Sequence, residues 1–318
     1  MTGFDYPLLL EPIPVPKVWG GGKLARIKGR SPGLQTPDHQ GWDPIGESWD
    51  VSTWPTAPDK PSQITVTRIT NGPLAGTPLD LVVDVPVVAK VIDSADRLSV
   101  QSHPNKDEMW YILQADDGAY LYLDLAAGVD KEEFCALLRT ENPDEPTILG
   151  MMNKRAPLGV GAHFNVPTGT VHAIGPGLLT FEISEKTQVT YRLYDYNRER
   201  SRGKLDLDDG CRAITTPRPD LPVLDHGLVL SSPSAMEIIT EFPTFCVARV
   251  TGDEITVLSS EHMCLITATR GDVRISSPRI DWDVELGYSF TCLAPPIETP
   301  YLIDTLGSGE VLISPLRN

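Results

Sequence analysis

The 318-residue chain carries 27 basic and 43 acidic side chains, so its formal net charge is −16 at pH 7. This charge disfavours nucleic acid and anionic membrane surfaces as partners, because phosphate groups are bound by positive surfaces. Apolar residues make up 41% and charged residues 22% of the chain, which is ordinary for a soluble globular protein. The length is sufficient for one large domain or two modest ones.

No export signal or membrane span is expected. The apolar run at 8–10 is too short for a signal peptide, and the acidic Asp5 and Glu11 flank it. The longest apolar run, 81–92, is interrupted by two charged residues and a proline. The five cysteines are scattered and form no CxxC pair, so reduced thiols in a cytoplasmic protein are predicted.

The first half of the chain reads as a β protein. Residues 1–60, rich in proline, glycine and tryptophan, are predicted to be extended segments and loops around a β core, and one short helix is predicted within 77–85. The predicted strands are 85–92, 98–101, 109–113 and 119–125. Lys90 lies inside the first of them, where a lysine either extends to the sheet edge or faces a functional cavity.

A change of periodicity interrupts this β pattern. Apolar residues recur at helical spacing behind an acidic first turn in 130–140, so a helix is predicted there. Shorter helices are predicted at 147–154 and 206–212, and strands at 163–166, 178–184 and 189–194. From residue 228 onward, short β-rich runs alternate with glycine and proline turns, which predicts a second all-β sandwich or barrel.

Two short stretches hold potential metal ligands. Gln101 and His103 are two residues apart, so within a strand their side chains face the same way. A tight reversal after Pro104 can bring Glu108 beside them, and a turn can direct His172 to the same point. Two imidazoles, a carboxylate and an amide oxygen suit Zn²⁺ with one position open for substrate. A single histidine is more often structural, so this hypothesis depends on the combination.

These stretches resemble the two motifs of the cupin superfamily. The first is HxxxxE followed by Gly118, with Gln101 in place of the first histidine of the usual HxH, and the second is GAHFNVPTGTVH at 161–172. LSVQSHP, EMWYIL, VPTGTVHAIG and TYRLYDYNR further resemble signature blocks of type I mannose-6-phosphate isomerases in their short bacterial form. VWGGGKL, IGESWDVS and NGPLAG resemble other blocks in the same order, so the resemblance covers most of residues 14–200.

The resemblance implies a mainly β fold of two cupin-like β-barrel (jelly-roll) domains with a few short helices inserted. The expected metal-binding domain spans 1–223, with a helical insertion near 130–155. A C-terminal cupin-like β domain without metal ligands is expected over 224–318.

The implied activity is zinc-dependent aldose–ketose isomerisation of mannose 6-phosphate and fructose 6-phosphate through a cis-enediol, with one Zn²⁺ per chain. The implied site comprises the zinc ligands Gln101, His103, Glu108 and His172, the catalytic residues Lys106 and Arg192, and the substrate-binding candidates Lys90, Glu47 and Trp19. A sugar phosphate is the expected partner, and the chain is expected to act as a monomer or homodimer.

Structural alternatives stay open for several of these residues. Lys106 could be an exposed turn lysine, and Arg192 could form an ion pair with Asp195 or Glu185. Glu47 and Trp19 could simply pack near the N-terminal segment.

The chain also departs from the family pattern. The connection before Glu108 is shortened to NKD, and Gln188 stands where an Asp is usual. Other readings therefore remain: a cupin sugar isomerase of different specificity, a non-catalytic metal-bound sugar-binding cupin, or a metal-dependent dioxygenase, which would more often have two histidines at 101–103.

Overall fold

The computed structural model describes residues 4–29, 44–54, 65–187, 189–196, 198, 205–215, 228–230, 235–277, 282–296 and 300–317. Gln188 lies outside these residues, and so does the predicted domain boundary between 223 and 224. That boundary therefore stays a prediction. In the described part of the chain, no helix has the length and apolar character needed to span a membrane.

Strands form most of the regular structure. In the first half they are β1 (Leu10–Glu11), β2 (Ile13–Pro16), β3 (Ile45–Val51), β4 (Arg68–Ile69), β5 (Val87–Ser94), β6 (Val100–Ser102), β7 (Glu108–Ala115), β8 (Leu121–Leu125), β9 (Met152–Arg155), β10 (His163–Val166), β11 (His172–Ile174), β12 (Leu178–Glu185) and β13 (Tyr191–Tyr194). In the second half they are β14 (Leu228–Leu230), β15 (Ala235–Glu241), β16 (Cys246–Thr251), β17 (Glu254–Ser260), β18 (Cys264–Ala268), β19 (Val273–Ser276), β20 (Asp283–Leu286), β21 (Thr291–Ala294), β22 (Tyr301–Asp304) and β23 (Glu310–Pro315). The inserted helices are α1 (Lys23–Lys28), α2 (Lys131–Leu138), α3 (Glu145–Gly150) and α4 (Leu207–Ala213).

Each half contains two larger antiparallel sheets. Sheet I has the order β10-β7-β12-β5-β3-β2 and sheet II the order β13-β6-β11-β8-β9. In the second half, sheet III is β15-β16-β23-β18-β21 and sheet IV is β14-β17-β22-β19-β20, while β1 and β4 form a small separate pair. The predicted mainly β fold is confirmed, although backbone pairing among the described residues does not close either half into a barrel.

Alternation along the strands explains how these sheets stack. In β5, Val87, Ala89 and Val91 pack in one apolar cluster with residues of sheet III, whereas Ile92 packs in another with residues of sheet II. Successive side chains of a strand point to opposite faces, so sheet I lies between sheets II and III. A third cluster joins sheets III and IV. Sheet I is therefore buried on both faces, and its face toward sheet II holds the candidate site.

The predicted helices are present with shifted ends, and one further helix, α1, was not predicted. The helices predicted at 130–140 and 206–212 are confirmed as α2 and α4, and the helix predicted within 77–85 is a single 3₁₀ turn, Leu79–Leu81. Helix α3 begins where the Asp144 side chain accepts a hydrogen bond from the Thr147 N–H, earlier than predicted, and β9 replaces its predicted end.

The cysteine prediction is wrong for one pair. Cys135 of α2 and Cys211 of α4 form a disulfide across 76 residues of sequence, with their Cα atoms 6.0 Å apart. Neither spacing nor composition points to this pair, because only the packing of α2 against α4 brings the two sulfurs together. The other cysteines, Cys246, Cys264 and Cys292, are free thiols, and burial raises the pKa of each to about 12.

A fully buried ion pair fixes α1 against β3. The Lys28 ammonium lies 2.6 and 2.5 Å from the two carboxylate oxygens of Asp50, and the Ser48 hydroxyl donates to the same carboxylate at 2.7 Å. The ammonium also lies 4.7 Å from the centre of the Phe290 ring, which belongs to the second half of the chain. Burial lowers the pKa of Lys28 and raises that of Asp50, and each charge opposes the shift of the other.

We expect Asp50→Asn to destabilise the protein by about 3–5 kcal/mol, because it leaves the Lys28 ammonium buried without a counter-charge. The double variant Lys28→Met, Asp50→Leu should recover most of that loss, since an apolar pair needs no desolvation of charge. Urea unfolding measures both. Asp283→Asn, which removes the partner of Arg274 at the surface, is the matched control and should leave the midpoint unchanged. A wild-type midpoint for Asp50→Asn would contradict the prediction.

Candidate metal centre and cavity

Three of the predicted site residues lie side by side in sheet II. Strand β6 carries Gln101, and its two neighbours place Arg192 of β13 and His172 of β11 directly opposite it on either side. Opposed residues on adjacent antiparallel strands have their Cβ atoms about 5 Å apart, so these side chains are in reach of one another. The register thus unites residues that are up to 91 positions apart in sequence.

The short connection between β6 and β7 brings ligands from the two sheets together. His103 follows β6, and its carbonyl accepts a hydrogen bond of 2.8 Å from the Gly169 N–H. Asp107 accepts at 2.7 Å from the Thr168 N–H, and its own N–H donates to the Glu185 carboxylate at 3.2 Å. These bonds fix both ends of the connection. Glu108, at the start of β7 in sheet I, lies beside the imidazole of His103.

Three buried side chains form a cluster able to hold a metal ion. His103, Glu108 and His172 each offer one ligand atom, and these atoms all lie within 4.8 Å of one another. The Nδ1 atoms face away, since that of His103 lies 3.0 Å from the carbonyl of Val189 and that of His172 lies 2.9 Å from the carbonyl of Thr170. Such bonds fix the tautomer of a metal-binding histidine and leave Nε2 as the ligand atom.

The unsatisfied atoms of the cluster support this assignment. Within the described structure, Nε2 of His103 and Oε2 of Glu108 are buried and make no hydrogen bond. Nε2 of His103 lies 3.1 Å from the other oxygen of Glu108. A buried polar atom without a hydrogen-bond partner destabilises the folded protein, so a bound cation between these atoms would remove that cost. Two imidazoles and a carboxylate fit a borderline divalent cation such as Zn²⁺.

Gln101 extends this donor set. Its amide nitrogen lies 3.1 Å from Nε2 of His172, so the end of the side chain reaches the cluster. The two ends of a primary amide are nearly isosteric, and rotation about the last side-chain bond presents the oxygen instead. The structure therefore brings all four predicted ligands together.

The electrostatics of the cluster also suit a cation. Burial, followed by the proximity of His103, lowers the pKa of His172 to about 3, so this imidazole is neutral and its Nε2 lone pair is available. Burial alone would raise the pKa of Glu108, but Lys106 and His103 hold it well below its ordinary value. Glu108 is therefore an anion. Neutral imidazole and ionised carboxylate are the forms that bind metals.

Gln101 and Glu108 line a cavity of about 620 Å³ between sheets I and II, so the cluster borders this cavity. This is a typical size for a small-molecule site. All predicted site residues except the two histidines line the cavity: Trp19, Glu47, Lys90, Gln101, Lys106, Glu108 and Arg192. Lys17 and Arg198 line it too, so five cationic side chains line this space together with four carboxylates, those of Glu47, Glu108, Glu182 and Asp195. The positive charges outnumber the negative ones by one, so the cavity can accept an anion.

Lys90 faces this cavity rather than the sheet edge. Its ammonium lies 3.1 Å from the carboxylate of Glu182. Burial would lower the pKa of Lys90, but Glu182 and Glu47 raise it above its ordinary value, so Lys90 is a cation.

Glu47 and Trp19 also line the cavity. Glu47 lies 3.2 Å from the Lys17 ammonium and accepts a hydrogen bond of 2.8 Å from the Trp49 indole. Burial would raise the pKa of Glu47, but Lys90 and Lys17 lower it to about 2. Trp19 packs in the apolar cluster shared by sheets I and II and also lines the cavity, so it has both of the expected roles.

Lys106 and Arg192 differ in how they are held. Lys106 is not an exposed turn residue: it is 7% exposed and forms an ion pair with Glu108. The Arg192 guanidinium lies 4.0 Å from the Asp195 carboxylate, so the alternative ion pair is present but long. Asp195 forms a closer ion pair with Arg198. Arg192 therefore combines this structural contact with a place on the cavity wall.

Several cavity residues were missed at the level of sequence, notably Lys17, Glu182, Arg198 and the tryptophans Trp49, Trp54 and Trp110. The available signal for Glu182 was a glutamate within the apolar run LLTFEI, comparable to the anomaly that singled out Lys90. The others lie in segments whose pattern gives no hint of a cavity.

No family model matches the chain. A relative from Bacillus subtilis strain 168, described as the probable mannose-6-phosphate isomerase GmuF, is 33% identical over 245 residues, which cover 68% of this chain and 70% of the relative. The crystal structure of mannose 6-phosphate isomerase from Bacillus subtilis superimposes with a TM-score of 0.76 and 21% identity over 98% of this chain and 99% of that one. A mannose 6-phosphate isomerase bound with zinc and yttrium has a TM-score of 0.69 at 13% identity, with 99% of this chain and 100% of that one covered.

Proposed function

The chain belongs to the mannose-6-phosphate isomerase family, and we propose that it interconverts mannose 6-phosphate and fructose 6-phosphate in a zinc-dependent reaction through a cis-enediol. The observation that carries this proposal is the buried cluster of His103, Glu108 and His172, whose Glu108 lines a cavity that also holds five cationic side chains. A solved structure of the same fold is described as bound with zinc. The proposal retains the expectation of a cytoplasmic enzyme, although the Cys135–Cys211 disulfide is a bond that is rare in reducing compartments.

The cavity walls suit a phosphorylated sugar. A sugar phosphate carries two negative charges at neutral pH, and charge-assisted hydrogen bonds from lysine and arginine are the strongest contacts available to it. Trp19, Trp49 and Trp54 contribute flat apolar surface to the cavity. Such surface can pack against the C–H groups of a sugar ring while the polar residues bind its hydroxyls. This combination supports an anionic carbohydrate as the substrate class.

The reaction moves a proton between C2 and C1, and negative charge develops on the two neighbouring oxygens. Zn²⁺ held by Gln101, His103, Glu108 and His172 would supply Lewis-acid stabilisation of that charge. Lys106, buried beside Glu108, is proposed to carry the proton between the two carbons. Arg192, the strand neighbour of Gln101, is proposed to stabilise the enediolate with its fixed positive charge.

A substrate panel with metal analysis tests this proposal. We expect purified protein to hold one Zn²⁺ per chain and to convert mannose 6-phosphate, with much lower activity on glucose 6-phosphate and free mannose. Chelation should abolish the activity and added Zn²⁺ should restore it. Activity that survives complete removal of metal would contradict the zinc dependence. Conversion of free mannose in preference to its phosphate would contradict the proposed substrate and favour a related isomerase of different specificity.

A further inference from the structure

Glu182 is a buried carboxylate inside strand β12, whose other residues from Leu178 to Ser184 carry no charge. It lies in β12 between Phe181 and Ile183 and is 3% exposed. The strand register places it directly opposite Lys90 on one side and Trp110 on the other. The three side chains thus form a row across the face of sheet I that lines the cavity. A buried carboxylate is costly unless it is paired, so this row requires a specific explanation.

Each oxygen of the Glu182 carboxylate engages a different neighbour. Oε1 forms an ion pair with the Lys90 ammonium at 3.1 Å but makes no hydrogen bond within the described residues, and Oε2 accepts a hydrogen bond of 3.2 Å from the Trp110 indole N–H. The Trp110 ring in turn meets the His172 imidazole edge-on, with ring centres 5.1 Å apart. A continuous set of contacts therefore runs from the Lys90 ammonium through Glu182 and Trp110 to a candidate metal ligand.

We propose that Glu182 is a positioning residue that holds the Lys90 ammonium at a fixed place on the cavity wall, in register with the metal cluster. This inference rests on the proposed isomerase function. The Lys90 ammonium stabilises the negative charge that develops on the substrate oxygens. The ion pair with Glu182 fixes the position of that ammonium. A misplaced charge loses most of its effect on a transition state, since such stabilisation depends on preorganised geometry.

The neighbouring acids explain why this role falls to Glu182. Glu47, on the neighbouring strand β3 and opposite Ile92, is already bound by the Lys17 ammonium and the Trp49 indole. Glu108, on β7, belongs to the candidate metal site and also attracts Lys90 electrostatically. Glu182 is the carboxylate in direct contact with Lys90 in the described structure. Without its charge, Lys90 would be drawn toward Glu47 and Glu108 and away from its present position.

The test compares Glu182→Gln, Lys90→Met and the double variant in a kinetic cycle. Glutamine preserves the volume and an acceptor for Trp110 but removes the charge that holds Lys90. We expect Glu182→Gln to lower kcat roughly 10- to 100-fold with KM little changed and one Zn²⁺ per chain retained. The double variant should be no slower than Lys90→Met, because Glu182 acts through Lys90. Glu237→Gln, which breaks an ion pair with Arg249 at an exposed place, is the matched control and should match wild type.

A second measurement does not depend on activity. Labelling with acetic anhydride, read by mass spectrometry, should modify Lys90 several-fold faster in Glu182→Gln than in wild type or Glu237→Gln, because the ammonium is released from its partner. Wild-type kinetics for Glu182→Gln, or losses that add to those of Lys90→Met, would overturn the inference. If wild-type protein converts no sugar phosphate, the proposed function fails, and an unchanged labelling rate of Lys90 in Glu182→Gln then overturns the positioning role separately.

Discussion

Replacing His172 by alanine is expected to abolish zinc binding and to lower kcat/KM by roughly 10³-fold or more. His172 is fully buried, and its Nδ1 lies 2.9 Å from the Thr170 carbonyl, so its Nε2 is held toward the metal cluster. Removal of the imidazole leaves Glu108 and His103 with an incomplete donor set. Metal analysis by mass spectrometry and assay of mannose 6-phosphate conversion measure the two effects on the same sample.

Two further variants make this result specific. His172→Leu has a similar side-chain volume but no donor atom, so it should also lose the metal while unfolding at nearly the temperature of metal-free wild type. His163→Ala is the matched control, because His163 lies in β10 of the same half, outside the cluster, and its Nδ1 lies 3.4 Å from the Gly161 carbonyl. It should keep both zinc and activity. One bound zinc and wild-type activity in His172→Ala would contradict the proposed ligand set.

The candidate ligands could be predicted because their pattern is local. Gln101, His103 and Glu108 fall within eight residues, and the motif around His172 is also compact. What joins the two stretches is the pairing of β11 with β6, in which His172 lies opposite Gln101. That register follows from sheet packing over 71 residues and has no signature in either stretch. The family resemblance supplied the connection that periodicity alone does not.

Glu182 shows why the cavity wall was only partly predicted. In sequence it reads as one polar residue in a strand, which is the ordinary pattern for a sheet with one face in water. The face is instead covered by sheet II, so the same alternation places Glu182 in a buried cavity opposite Lys90. A sequence pattern distinguishes the two faces of a strand, but it does not say what covers each face.

Helix α1 illustrates the same limit for local structure. The helix has six residues, and its N-cap residue is Gly22, which has no side chain that could cap it. Its first N–H groups, those of Lys23 and Leu24, donate instead to the side chain of Asp93 at 2.6 and 3.1 Å. A cap from about 70 residues away is invisible in a local sequence window. The Cys135–Cys211 disulfide was missed for the same reason, since its two halves meet only in the packed protein.

Replacing Lys106 by methionine is expected to lower kcat by roughly 10²- to 10⁴-fold while zinc stays bound. Lys106 lies in the shortened connection between β6 and β7, where bonds from Asp107 to Thr168 and Glu185 restrict its movement. The family pattern is longer here, yet the ammonium is buried and forms an ion pair with Glu108. Methionine retains the apolar stem and removes the group proposed to carry the proton.

Lys106→Arg separates proton transfer from simple charge. A guanidinium keeps its proton at any accessible pH, so arginine can supply a positive charge beside Glu108 but cannot act as the base. We expect Lys106→Arg to remain as slow as Lys106→Met, whereas Lys154→Met, which alters an exposed lysine stacked on Tyr120, should match wild type. Recovery of activity in Lys106→Arg would identify Lys106 as a fixed cation and would place the base elsewhere in the cavity. Retention of zinc in both Lys106 variants excludes loss of the metal as the cause of the lower rate.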